Sequence, residues 1–222
     1  MQVDSVYRRL KASGKASRDR QAKQIGDNCP LIYALKQSDG LWVSRRSIRQ
    51  LNLHIPWIVS ELCRSLNGEV DCIVVIPSRH PLAMMLAVRL EKKLLIPLHQ
   101  RLLRKATFLE ASRRAQTLLN NKQSLISAGV TRDEEKSLRS VIKRGMLQGG
   151  ASYSAKNVLI PLRKHFDPLR LVTGAPLPGS TERVLYVDDL LATGETLLAA
   201  DSILRVHGNQ AVSRSATWFS RV

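Results

Sequence analysis

Three features of the sequence predict an α/β fold built on a parallel sheet. Cys72 to Ile76 is an uninterrupted apolar run between Asp71 and Pro77, as expected of a strand covered on both faces. A polar loop, Ser78 to His80, then a helical stripe of Leu82, Met85, Leu86 and Leu90, and a further strand at Leu94 to Leu98 complete a β-α-β unit, which implies parallel pairing and a right-handed crossover. Val184 to Val187 is a second apolar run, and it leads through Asp188 and Asp189 into a hydroxyl- and glycine-bearing turn that opens another helix.

The remaining elements follow in chain order. Residues 1–30 read as a basic arm, flexible or partly helical, with Arg8, Arg9, Lys11, Lys15, Arg18, Arg20 and Lys23 among Ser, Gly, Ala and Gln. Leu31 to Lys36 and Leu41 to Val43 flank Ser38, Asp39 and Gly40, a hairpin signal. Pro56 is expected to open a helix at its first position, with Ile58, Val59, Leu62, Cys63 and Leu66 along one side and Gly68 ending it. Between the strand at 94–98 and that at 184–187 lies a long basic insertion, about residues 106–180. Within it Thr131 and Glu134 form a capping-box signature. Leu138, Val141 and Ile142 share one face of the helix that follows, and Arg132, Lys136, Arg139 and Lys143 share another. Short strands are expected at Val158 to Ile160 and Leu169 to Val172, among loops broken by Pro161, Pro168, Pro176 and Pro178. Leu197, Leu198, Ile203 and Leu204 carry the helix that ends near Gly208. Ala211 to Phe219 then makes the last strand, with Val212, Ala216 and Trp218 on one face.

The turn after Val187 carries the chemistry. Ligands of open α/β sheets bind at the carboxyl ends of strands, where Asp188 and Asp189 fall. Ionised carboxylates only accept hydrogen bonds, so they suit sugar hydroxyls, directly or through a hard cation such as Mg²⁺. Thr193, Gly194 and Thr196 add hydroxyls and backbone N–H groups at a helix start, a phosphate-binding arrangement. Val187 to Gly194 resembles the phosphoribosyl pyrophosphate (PRPP) motif of the type I phosphoribosyltransferases, especially the adenine-specific branch. That resemblance implies that Asp188 and Asp189 hold the ribose hydroxyls, that Ala192, Thr193, Gly194, Glu195 and Thr196 wrap the 5′-phosphate, and that Mg²⁺ accompanies PRPP. Glu195 departs from the pattern, since the family usually has a small or basic residue there. Its charge either opposes the phosphate or points to solvent and favours the helix N-terminus.

The likeness extends upstream. Ala34-Leu35-Lys36, a helix, and the run from Ile73 through Ser78 are similar to the competence-associated (ComF-like) phosphoribosyltransferases. By that resemblance Pro77 to His80 occupies the diphosphate-loop position with Ser78 and Arg79 as contacts, and Arg104 and Lys105 belong to a mobile catalytic loop. The chain as a whole is then a phosphoribosyltransferase-like domain, residues 31–222, with a basic arm and a basic insertion.

Charge supplies the second line of inference. The chain carries 35 Lys plus Arg against 18 Asp plus Glu, a formal net charge of +17. Such an excess fits a polyanion such as RNA or DNA, for which Arg8, Arg9, Lys11, Arg132, Lys136, Arg139 and Lys143 are the candidate contacts; a merely solvated surface is the competing view. Cys29, Cys63 and Cys72 are odd in number and show no C-x-x-C spacing, and the five histidines show no shared ligand spacing, so no structural metal is expected. No apolar run is long enough to span a membrane, which makes a cytoplasmic protein the default and leaves a homo-oligomer open.

Three functions are compatible with these features. One is a PRPP-binding protein working with nucleic acid; in plan the chain is similar to phosphoribosyltransferase-like proteins encoded beside retron reverse transcriptases in antiphage systems, which implies a nucleoprotein partner. The second is a conventional base phosphoribosyltransferase of nucleotide salvage. The third is a non-catalytic nucleotide sensor that binds RNA or DNA.

Overall fold

A computed structural model describes residues 1–8, 30–37, 40–147, 150–191 and 194–220. Its centre is a five-stranded sheet in which every pairing is parallel. The strands are β1 (Gln2–Arg8), β2 (Cys72–Val75), β3 (Leu98–His99), β6 (Val184–Leu190) and β7 (Arg214–Ser220), in the order β1-β7-β6-β2-β3. β2 and β6 are buried along both faces, as their continuous apolar runs require. On one face Ile73, Val75, Leu185 and Val187 pack against α1 (Pro30–Leu35), α2 (Arg45–Leu66) and α3 (Leu82–Leu94). On the other, Cys72, Val74, Val184 and Tyr186 pack against α7 (Glu195–Val206) and a two-stranded antiparallel ribbon, β4 (Leu103–Lys105) with β5 (Leu169–Leu171).

A separate core lies between β4 and β5. It gathers Phe108, Ala111 and Ala115 of α4 (Phe108–Leu119), Leu138, Val141 and Ile142 of α6 (Arg132–Met146), and Tyr153, Val158, Leu162 and Phe166. The short α5 (Lys122–Ser127) joins the two helices. The capping box at Thr131 and Glu134 forms as the sequence indicates, and Thr107 with Glu110 makes a second at the start of α4. The stretch is therefore a helical body with its own apolar interior, set between two strands of a ribbon.

Several local expectations are corrected. The first residues of the basic arm are an edge strand: β1 pairs with β7, and Arg214 Nη2 donates to Asp4 Oδ2 at 3.0 Å. Arg8 closes that strand, while Arg9 and Lys11 lie outside the described residues. Leu31 to Lys36 is no hairpin arm, because Pro30–Leu35 is a helix that buries Ile32 and Ala34. Pro56 sits inside α2, whose true start is the Ser44 cap accepting from the Ser47 N–H. Proline is tolerated there because residue 56 faces solvent, and the carbonyl it leaves unpaired, on exposed Asn52, can turn to water.

The strand expected from Leu94 begins only at Leu98, since α3 runs through Leu94 and stops at Leu95 in a left-handed conformation (φ 56°). Met85 is exposed rather than part of the α3 stripe. Val158 to Ile160 forms no strand; short 3₁₀ turns, Ala155–Asn157 and Ile160–His165, flank and overlap it. Residues 103–105, expected in a mobile loop, are the ribbon strand β4. Val212 is exposed ahead of β7, and Trp218 is buried with its Nε1 donating to the Leu82 carbonyl at 2.6 Å.

Candidate functional site

Strand alternation sets the site's geometry. Successive side chains of a strand point to opposite faces, so the two acids that end β6 diverge. Asp189 follows Leu185 and Val187 toward the α1 side; Asp188 follows Val184 and Tyr186 toward the ribbon. Asp189 is buried and doubly held through Oδ2, with Lys36 Nζ at 2.7 Å and the Ser78 hydroxyl donating at 2.9 Å. Asp188 Oδ1 accepts the Asp189 N–H at 2.7 Å.

The electrostatics of the two acids differ accordingly. Burial, and next the neighbouring Asp189 charge, push the Asp188 carboxyl up to about 7, against the opposing pull of the Asp189 N–H, Lys36 and Lys105. A group poised there exchanges its proton near neutrality. His80 is pulled the other way: burial and the cations Lys36, Arg79 and Lys105 hold its pKa below the ordinary value in spite of Asp189. The cluster thus joins Lys36, Ser78, His80, Lys105, Asp188 and Asp189 at the carboxyl ends of β2 and β6, and the exposed Arg79 acts on it through the adjacent His80.

Ser78, Lys105, Asp188 and Asp189 of the expected site come together. Arg104 does not join them: its guanidinium forks onto Glu110, with Nη1 to Oε2 at 2.8 Å, and that pair anchors the start of α4. Ala192 and Thr193 lie outside the described residues. Gly194 precedes α7 with φ 77°, a left-handed conformation in which glycine carries no Cβ penalty. Glu195 and Thr196 begin the helix and line a cleft of about 590 Å³ between α7 and the helical insertion. Tyr153, Arg114, Arg163, Lys164, Asp167 and Arg170 line the same cleft, with Arg114 and Arg170 paired to Asp167. Arg132, Lys136, Arg139 and Lys143 are exposed on α6, and Arg139 is tied to Glu135 at 2.7 Å.

Lys36 is the member that sequence reasoning did not assign. Its signal was present in Ala34-Leu35-Lys36, but the reading of that stretch as a hairpin gave the ammonium no direction. In the fold α1 ends at Leu35 and delivers Lys36 to the strand ends, more than 150 positions before the carboxylate it binds.

No protein-family model matches the chain, and no curated protein and no solved structure matches it. The geometry of the cluster therefore carries the functional argument.

Proposed function

We propose that the chain is a phosphoribosyltransferase-like protein that binds PRPP, or a related ribose phosphate, at the end of β6 and associates with nucleic acid. The observation that carries this reading is the pair of consecutive carboxylates ending a buried parallel strand, with Lys36, Ser78 and Lys105 drawn to them from three other segments. Carboxylates accept from ribose hydroxyls, the start of α7 offers N–H groups to a phosphate, and Lys36, Arg79 and Lys105 supply positive charge for a diphosphate.

The donor set fits Mg²⁺ carried by the ligand better than a cage of protein atoms. Asp189 already engages Lys36 and Ser78, which leaves Asp188 as the main oxygen donor. Bound with PRPP, Mg²⁺ would neutralise diphosphate charge; Asp188 and Asp189 would hold it and the sugar. If the ribosyl bond is broken, the cations stabilise the departing diphosphate electrostatically. Arg104 takes no part in this account, because its partner is Glu110.

Nucleic-acid association is supported by the net charge of +17 and by the exposed cations of α6. Isothermal titration of the purified chain with Mg²⁺-PRPP tests the core of the reading. Binding by the wild type that falls at least tenfold in Asp188→Asn supports it, and undetectable PRPP binding rejects it. Product analysis with purine and pyrimidine bases then separates a salvage enzyme from a sensor. Copurification with a reverse transcriptase or an RNA–DNA hybrid distinguishes a defence nucleoprotein from either.

A further inference from the structure

At the opposite end of the same sheet, β2, β3 and the segment leading into β6 each bring one metal-ligating side chain to one place. β2 begins with Cys72, whose Cα partner on β6 is Val184, and Val74 is the partner of His99 on β3. Glu182 stands two residues before Val184, and His99 is level with the residue two beyond Cys72. Cys72 and His99 therefore share the Val74 face, and Glu182, just ahead of β6, reaches the same place. The Cys72 Sγ, a His99 ring nitrogen and a Glu182 carboxylate oxygen lie within 4.8 Å of one another.

We propose that Cys72, His99 and Glu182 bind a zinc ion, with water completing the coordination. This inference is independent of the reading of the β6 site. A thiolate, an imidazole and a carboxylate are the ligand types zinc takes, at bond lengths of about 2.0–2.3 Å. Around a tetrahedral ion such bonds set the ligand atoms roughly 3.5 Å apart, so the cluster needs about 1 Å of side-chain closure. The mixed sulfur and nitrogen set disfavours Mg²⁺ and Ca²⁺, which prefer oxygen. One thiolate and one carboxylate balance the charge of Zn²⁺, which suits a partly buried site.

The surroundings pre-position the ligands. Glu182 Oε2 accepts from the Gly179 N–H at 2.7 Å and its carbonyl accepts from Asn209 Nδ2 at 2.9 Å, while the Arg183 N–H beside it is held by Asp71 at 2.8 Å. Such supporting contacts orient metal ligands. Cys72 is fully buried, and burial with the nearby Glu182 and Asp71 charges pushes its thiol up to about 12. Since Arg183 neutralises Asp71, Glu182 supplies the uncompensated charge. Zinc binding would displace the thiol proton to solvent, and the Glu182 carboxylate beside it would share the charge of the ion. His99 also lines a cleft of about 530 Å³ with Gln100, Arg101 and residues 172–176, an entry path for the ion and its water.

The test is a Co²⁺ titration of the full chain after chelator treatment and removal of the chelator, followed by displacement with Zn²⁺. The expected result is one equivalent of Co²⁺ with a thiolate-to-cobalt charge-transfer band. Zn²⁺ at a hundredfold excess over its Kd should raise Tm by roughly 5 °C or more. Cys72→Ser should abolish the band and Cys63→Ser should retain it. His99→Ala and Glu182→Gln, which leave the buried thiol in place, should each weaken binding by at least about 10-fold, since a direct ligand counts for no less than the outer contacts that orient it. No band in the wild type overturns the proposal. A band that survives Cys72→Ser, or one unmoved by both His99→Ala and Glu182→Gln, overturns it equally.

Discussion

Asp188 and Asp189 are neighbours in sequence, yet the pleat gives them different work. Asp189 is paired with Lys36 and accepts from Ser78, whereas burial and the Asp189 charge raise the Asp188 carboxyl to about 7. The unfolded pKa of Asp is near 3.9, so the folded chain binds more protons than the unfolded one between about pH 4 and 7. Stability from this group is complete below pH 4 and is lost as pH rises through 7. Asp188→Asn should consequently raise Tm at pH 8 and leave it nearly unchanged at pH 4, as thermal melts at the two pH values would report. The same titration should strengthen ribose-phosphate binding as pH rises through about 7, because only the anion accepts from both hydroxyls; a flat affinity between pH 6 and 8 would remove Asp188 from the sugar contact. Lys36→Met takes the cation from a buried carboxylate and should cost about 2 kcal/mol. Chemical denaturation measures that loss, and the double variant Lys36→Met with Asp189→Asn should recover part of it. The acids were legible from the strand-then-acid pattern alone, but Lys36 was not, since no spacing in one dimension pairs residue 36 with residue 189.

Among the elements, β2 and β6 were readable because a continuous apolar run has few other uses in a chain of this composition, and α6 because its capping box and its two faces agree. What failed were short elements and one helix boundary, where one local signal outweighed its context. Gly40 suggested a hairpin although Ile32 and Ala34 are buried by a six-residue helix, and Pro56 suggested a start although Ser44 caps α2 well before it. The family resemblance puts residues 103–105 in a mobile catalytic loop, whereas their pairing with residues 169–171 depends on a partner far along the chain. The helical insertion depends on close contact at one position: a Cβ built on Gly145 would lie 2.0 Å from the Phe108 ring. Gly145→Ala should therefore destabilise by roughly 1–3 kcal/mol through overpacking, visible in Tm, and Phe108→Leu in the same chain should relieve part of it. Glu110 supplies a pH signature for the same body, because the Arg104 guanidinium and the Thr107 N–H hold its carboxyl well below the usual range. Its stabilisation is present above the unfolded value, near 4.5, and fades as pH falls below that. The Tm difference between wild type and Glu110→Gln should be large at pH 6 and shrink at pH 3.

For the molecule as a whole, the parallel sheet separates two chemistries, a carboxylate-centred cluster where β6 ends and a sulfur-nitrogen-oxygen cluster where β2 and β6 begin. The helical insertion stands over α7 and presents its charged side outward. No helix among the described residues is long and apolar enough to cross a membrane, and the excess of cations suits the nucleic acid proposed above as a partner. On α6 the burial of Leu138, Val141 and Ile142 fixes the opposite face, so Arg132, Lys136 and Lys143 are exposed together, while Arg139 is engaged by Glu135. If this face tracks a phosphate backbone, each cation contributes one released counterion, worth about 0.7 in the slope of log K against log salt for a single strand and about 0.9 for duplex DNA. The triple variant Arg132→Gln, Lys136→Gln, Lys143→Gln should then lower that slope by about 2 to 3 and weaken binding uniformly across sequences. Fluorescence anisotropy with a short labelled oligonucleotide over a salt series measures both quantities. An unchanged slope would assign the nucleic-acid contact to a different surface, and Arg139→Gln added to the triple variant should deepen the loss less than any of the other three, because Glu135 already neutralises that guanidinium.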